Sequence, residues 1–267
     1  MISSAATESG NELLAALPHR EREHILERCE RVALVPNEIL GEPGDRIRHV
    51  YFPIDSFISL LASLDQRDAL GVALIGSEGM LGTSLVLGVH AWPLRARVQG
   101  AGSALRMTAA DFQRVLVATP ILERQLRLYQ HVLLRQLAQT AACAAFHVVE
   151  ARLACWLLMT HDRAHGDRFY LTHELLARML GVRRSGVTTA AGVLQGGKLI
   201  TYARGHIAIV DRKGLEQAAC GCYEAVFRQV APEAGHHDEL EAVRAGSRPP
   251  RRVRHKDSAV PPGVIAH

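Results

Sequence analysis

Residues 171–194, LTHELLARMLGVRRSGVTTAAGVL, decide how the chain reads. Two short helical patterns meet at Gly181. A sharp angle between two helices needs a small residue where they cross, and Ala177 supplies it. The turn needs a residue that tolerates positive φ, and Gly181 follows four positions later. The inside of the angle must be apolar, which Leu176, Leu180, Val182, Val187, Ala190 and Leu194 satisfy. Thr172 suits an N-cap, and Glu174 suits the positive end of the helix dipole. The stretch predicts a helix-turn-helix; the competing reading is a tight helical corner in an enzyme.

The flanking sequence separates the two readings. Downstream, KLITYARGHIAIVD holds two short β-runs joined at Arg204-Gly205, so a hairpin completes a winged helix. Between Leu175 and Val210 there is no Asp or Glu, while Arg178, Arg183, Arg184, Lys198 and Arg204 all carry positive charge. Such a field attracts polyanions. The second helix exposes Arg184, Ser185, Thr188 and, at its side, Thr189. An arginine there can clamp O6 and N7 of guanine. Arg183, Lys198 and Arg204 are better placed for phosphate. With Thr172 at the helix start, these form the expected DNA-binding set, and double-stranded DNA the expected partner.

Upstream, residues 12–29 read as a helix, with Leu13, Leu14, Leu17, Ile25 and Leu26 apolar. From about residue 31 to 107, short Val-, Ile- and Phe-rich runs alternate with glycine-rich turns, which predicts an all-β barrel or sandwich. Pro120 then starts a helix without Gly or Pro to Phe146. Leu122, Leu126, Tyr129, Leu133, Leu137 and Thr140 recur at three- and four-residue spacing. That stripe fits either the helix's own domain or a partner helix; flanking Arg124, Arg127 and Arg135 favour a partner, with a homodimer the simplest choice. The predicted order is a β-roll with an N-terminal helix over 1–118, a dimerisation helix over 119–147, a winged helix-turn-helix over 148–227 and a basic, mostly disordered tail over 228–267. The fold class is α+β.

Composition narrows the function. Hydrophobic residues make up 48% of the 267 and aromatics only 5%, so the cores must be aliphatic. The first twelve residues lack the apolar region of a secretory signal, and no apolar run reaches the ~18 residues of a membrane span. Five scattered cysteines fit thiols in a reducing cytoplasm. No nucleophile–base set, P-loop or metalloenzyme motif occurs, so an enzyme is not expected. A ligand-binding module with secondary or lost DNA binding remains a competing class.

The order of elements, with EPGDRIRHVYFP (42–53), IGSEGMLG (75–82), ARVQGAGSALRM (96–107), QLAQTAACAAFH (136–147), RLACWLLMTHDR (152–163), YARGHIAIVDRKGLE (202–216) and the opening stretch, resembles the Crp/Fnr family of bacterial transcription regulators. The resemblance covers residues 12–226. It implies a cyclic-nucleotide-binding-like β-roll, a dimer on a pseudo-palindromic operator, and RNA polymerase and a small effector as further partners. Cyclic-nucleotide-binding members carry a Gly-Glu pair for ribose and an arginine before Ser/Thr-Ala for phosphate. Here Glu78-Gly79 stands near the first position, but Leu94 falls where the arginine belongs. Arg95 is one residue off, which on a strand turns it to the other face. Glu78, Gly79 and Arg95 are thus the weak candidates for an effector pocket, and the effector is unknown and not expected to be cyclic AMP.

Other sensor chemistry has thinner support. An iron–sulfur cluster needs several N-terminal cysteines, and only Cys29 is there. His49, His90 and His131 lack a recognisable partner for haem. Cys143 and His147 share a helical face at i, i+4, and Cys220 and Cys222 lie far along the chain. Were the C-terminal helix to fold back, these four could form a metal or redox site; small buried hydrophobes are the competing reading. No cofactor is expected to be required for DNA binding.

Overall fold

The computed structural model describes residues 10–63, 69–164 and 166–227. The predicted tail over 228–267 lies outside the described residues, as do Met1–Ser9. The first helical region is two pieces, α1 (Glu12–Ala15) and α2 (His19–Leu26), rather than one helix over 12–29. Pro18 is the reason: it lacks an N–H and sits as the N-cap of α2. Asn11 caps α1, accepting from the Leu14 N–H while its amide donates to the carbonyls of Pro53 and Gly79.

Seven strands follow: β1 (Glu30–Leu34), β2 (Ile39–Gly41), β3 (His49–Pro53), β4 (Phe57–Ser63), β5 (Ala69–Ile75), β6 (Arg95–Gly100) and β7 (Gly102–Thr108). They form two antiparallel sheets, ordered β1-β7-β3 and β2-β6-β4-β5. Ala73, Ile75, Ala96, Val98 and Ile58 of the second sheet pack with Val50, Phe52, Ala104 and Met107 of the first, as alternation requires of a two-layered roll. The opposite face of the four-stranded sheet is covered too. Phe57, Leu61 and Leu74 belong to a second core shared with the C-terminal half. This explains why β4, FISLLAS, is apolar at nearly every position instead of alternating.

Helices α3 (Ala109–Ala118) and α4 (Pro120–Phe146) follow the roll. Thr108 caps α3 by accepting from the Asp111 N–H, and Pro120 stands at the start of α4. The stripe on α4 answers the question its periodicity left open. Leu122, Leu126, Tyr129 and Leu133 are buried in the roll's own core, so this is not the seam for a partner. Thr140 donates to the Val72 carbonyl, at the irregularity where Leu60 pairs with Ala73 and Leu61 with Gly71. The face of α4 left exposed carries Ile121, Leu128, Leu134, Ala138, Ala141, Ala142 and Ala145.

The C-terminal half contains α5 (Val149–His161), β8 (Arg168–Tyr170), α6 (His173–Leu180), α7 (Arg184–Gly196), β9 (Ile200–Ala203), β10 (His206–Ile209) and α8 (Arg212–Ala218). It seats directly on β5. A Cβ on Gly71 would lie 2.6 Å from Trp156 and 2.9 Å from the Met179 sulfur, so only glycine permits this approach. A buried ion pair reinforces the contact. Arg163 Nη2 lies 2.7 Å from Glu78 Oε1, with their side chains 4% and 10% exposed, and Arg163 Nη1 donates to the Met159 carbonyl.

Candidate nucleic-acid interface

The angle between α6 and α7 is built by the residues its sequence requires. Thr172 accepts from the Leu175 N–H at 3.1 Å and so caps α6; its hydroxyl is committed there. Gly181 ends α6 at φ 62°, ψ 40°, and the Val182 N–H returns to the Ala177 carbonyl at 3.0 Å. Arg152 donates to the Leu180 carbonyl, closing another orphan at the helix end. Leu176, Ala177, Leu180, Val187, Ala190 and Leu194 are buried between α5, α6 and α7.

The outer face of α7 carries Arg184, Ser185, Thr188 and Thr189, all exposed. Arg183 is the N-cap residue and makes no side-chain cap, so its guanidinium is not tied to the helix start. The helix start thus offers N–H groups and a positive dipole end beside two arginines. Thr188 and Thr189 donate to the Arg184 and Ser185 carbonyls one turn back, so toward a ligand each hydroxyl can act only as an acceptor.

The wing is three-stranded, ordered β8-β10-β9; β8 was not apparent in the sequence because three residues are too few to show a period. Ala203 pairs with His206, so Arg204-Gly205 is a two-residue turn, with φ 50° and 87°. Positive φ at both positions is the geometry that matches strand twist. Arg204 and Lys198 are exposed at the wing's tip and base. Arg178, the fifth basic residue of the acid-free window, pairs with Glu174 at 3.1 Å and is not free.

Sequence reasoning missed His173. Its ring stacks on Tyr202 with centroids 4.0 Å apart, and Nδ1 lies 3.0 Å from the Thr188 hydroxyl. Burial, with Arg184 adding to it, holds its pKa below the ordinary histidine value. The neutral ring is therefore favoured by folding. Its stabilising contribution is present above pH ~6.5 and is lost as pH falls through the depressed folded value. An NMR titration of this ring is expected to give a midpoint below 6.5; a midpoint at or above it would contradict the arrangement.

The effector residues fare differently from the expectation. Glu78 is engaged by Arg163, and its Oε1 also accepts the Gly76 N–H at 3.1 Å. Gly79 lies against the Tyr129 ring, whose hydroxyl would be 2.0 Å from a Cβ there. Arg95 donates to Glu42 at 2.8 Å. Neighbouring Ala96 faces the roll core, so Arg95 faces away from it. Glu78, Gly79 and Arg95 thus serve separate structural partners rather than one pocket. Arg97, on the same outward face as Arg95, has Nε and Nη2 buried without a hydrogen-bond partner among the described residues.

The four metal candidates meet. Ligand atoms of Cys143, His147, Cys220 and Cys222 all lie within 4.8 Å of one another. Cys155, hidden in the apolar pattern of α5, joins them through a 3.3 Å approach to the Cys220 sulfur. Thiols of Cys143 and Cys155 directed at Cys220 push its pKa well down and their own up. Cys29, by contrast, is raised to about 12 by burial alone.

Residues 151–218 match the Crp-like helix-turn-helix domain. Several solved structures share the architecture. A transcriptional regulator of the crp/fnr family from Eubacterium rectale matches with a TM-score of 0.62 and 14% identity, over 79% of this chain and 99% of that one. FixK2 from Bradyrhizobium japonicum matches at 0.61 and 14%, over 72% and 97%. The c-di-GMP responsive global regulator CLP of Xanthomonas campestris matches at 0.58 and 17%, over 72% and 99%. No curated protein matches the sequence.

Proposed function

We propose that this chain, a regulator of Crp/Fnr architecture with a Crp-like helix-turn-helix domain, acts in the cytoplasm as a homodimer that reads a pseudo-palindromic DNA operator. The observation that carries this reading is the exposed face over the first two turns of α7. Arg184, Ser185, Thr188 and Thr189 face outward from a buried Val187–Leu194 stripe, inside a window that contains no carboxylate. Arg184 reads bases, with Ser185, Thr188 and Thr189 as hydrogen-bonding neighbours. Arg183, Lys198 and Arg204 hold phosphates, and Thr172 sets the start of α6. The exposed face of α4 pairs with its counterpart in a second copy, so that two α7 helices address half-sites about 34 Å apart. RNA polymerase and a small effector are the further partners of this reading.

Selection of bound fragments from genomic DNA, followed by gel shifts against excess competitor, tests it. A recurring two-half-site sequence is expected; binding that competitor removes equally from every fragment would overturn it. Arg184→Ala is expected to weaken operator binding about 5- to 150-fold, the equivalent of 1–3 kcal/mol, while affecting non-specific DNA far less. Arg183→Ala and Lys198→Ala should instead weaken all sequences alike and lower the salt slope by about one each.

A further inference from the structure

The end of α4 and the segment beyond α8 meet in a cluster that the DNA-reading surface does not use. Cys143 lies in the last turn of α4, and His147 caps that helix in an extended conformation, its N–H returning to the Cys143 carbonyl. Cys220 and Cys222 arrive from 77 and 75 residues away. The sulfurs of Cys143 and Cys220 are 3.5 Å apart, and Cys222 Sγ is 3.4 Å from His147 Nδ1. A disulfide would need sulfurs about 2.05 Å apart. A tetrahedral zinc with Zn–S of about 2.3 Å and Zn–N of about 2.0–2.1 Å places its ligand atoms roughly 3.5–3.8 Å from one another. These two separations lie close to that edge length, and all four ligand atoms fall within 4.8 Å of one another.

We propose that Cys143, His147, Cys220 and Cys222 form a Cys3His site for a structural zinc ion. Sulfur and imidazole are the donors that a borderline-soft divalent cation takes, and four protein ligands make a closed, non-catalytic site. The supporting shell is present. Gln139 Nε2 donates to Cys222 Sγ at 2.9 Å, as outer-shell partners of metal-bound thiolates do. Cys155 directs its thiol at the Cys220 sulfur and carbonyl, and stays a hydrogen-bonding neighbour rather than a ligand. The backbone bearing Cys220 and Cys222 is pinned on its far side. The Tyr223 hydroxyl reaches Asp162 at 2.8 Å, and Arg212 reaches that hydroxyl at 2.7 Å. Gly221 between the two cysteines has open space around it, so the short bridge can adjust both sulfurs. The fold thus brings the four ligand atoms together before the ion arrives, and binding requires loss of the thiol protons with a small adjustment of the side chains. The site clips the chain's C-terminal segment to the end of the long helix, and it stands independently of what the protein reads on DNA.

The test uses the full chain, expressed without a histidine tag and purified under reducing conditions. Elemental analysis is expected to find about one zinc per protomer. Cobalt(II) in its place should give the intense visible bands of a tetrahedral ion and a thiolate charge-transfer band in the near ultraviolet. Cys222→Ser should lower cobalt affinity by more than the roughly 10- to 100-fold typical of outer-shell changes. His147→Cys should retain the metal with bands shifted to an all-sulfur pattern, which guards against a Cys222 variant that merely fails to fold. Sub-stoichiometric metal in the parent and no cobalt bands would overturn the site. So would cobalt spectra that His147→Cys leaves unchanged.

Discussion

Leu128→Asp with Leu134→Asp is expected to turn the protein into a monomer and to lower operator affinity by about 10²- to 10⁴-fold, the advantage that linking two half-site contacts supplies. The two leucines are 53% and 63% exposed, near Ile121 on the outer face of α4, and below them the face narrows to alanines. Such small residues let two helices approach closely. The inner face behaves otherwise. Leu126 is fully buried in the roll, so Leu126→Asp should unfold that domain instead of separating subunits. Sedimentation measures the first effect and urea unfolding the second. A double aspartate variant that remains dimeric at micromolar concentration would remove α4 from the interface.

Breaking the Glu78–Arg163 pair is expected to cost about 3–5 kcal/mol from either side, because each partner leaves the other's charge buried and alone. Glu78→Gln additionally weakens the acceptor for the Gly76 N–H, and Arg163→Met abandons the Met159 carbonyl. The double variant should lose far less than the sum of the two, and denaturant unfolding of all four proteins gives that coupling directly. Additive losses would mean that the two side chains act separately. The pair joins the glycine-rich turn of the roll to the end of α5, 85 residues away.

The helix-turn-helix was legible because its demands are positional: Ala177, Gly181 and the apolar set must fall at fixed offsets, and the structure uses each as the sequence required. The roll was legible as a class from its glycine spacing. The α4 stripe was misassigned because a period says that a face is buried but not against what. Leu122 through Leu133 met their own roll, and the large residues left exposed on α4 include the less regular Leu128 and Leu134. Glu78 and Arg163 could not be paired from sequence, since neither carries a local mark of the other. His173 had no signal beyond its place at the first turn of α6. Cys143 and His147 were visible as a pair at i, i+4, whereas Cys155 looked like any apolar position of α5.

The four-stranded sheet is packed on both faces. Successive residues of β4 answer to different halves of the molecule, with Ile58 and Leu60 serving the roll while Phe57 and Leu61 serve the winged half. It is a party wall. A bend that suits one tenant is felt at once by the other, because close-packed side chains on both sides transmit displacement instead of absorbing it. A protein built this way needs no separate lever between its two halves: the curvature of one strand is already common property.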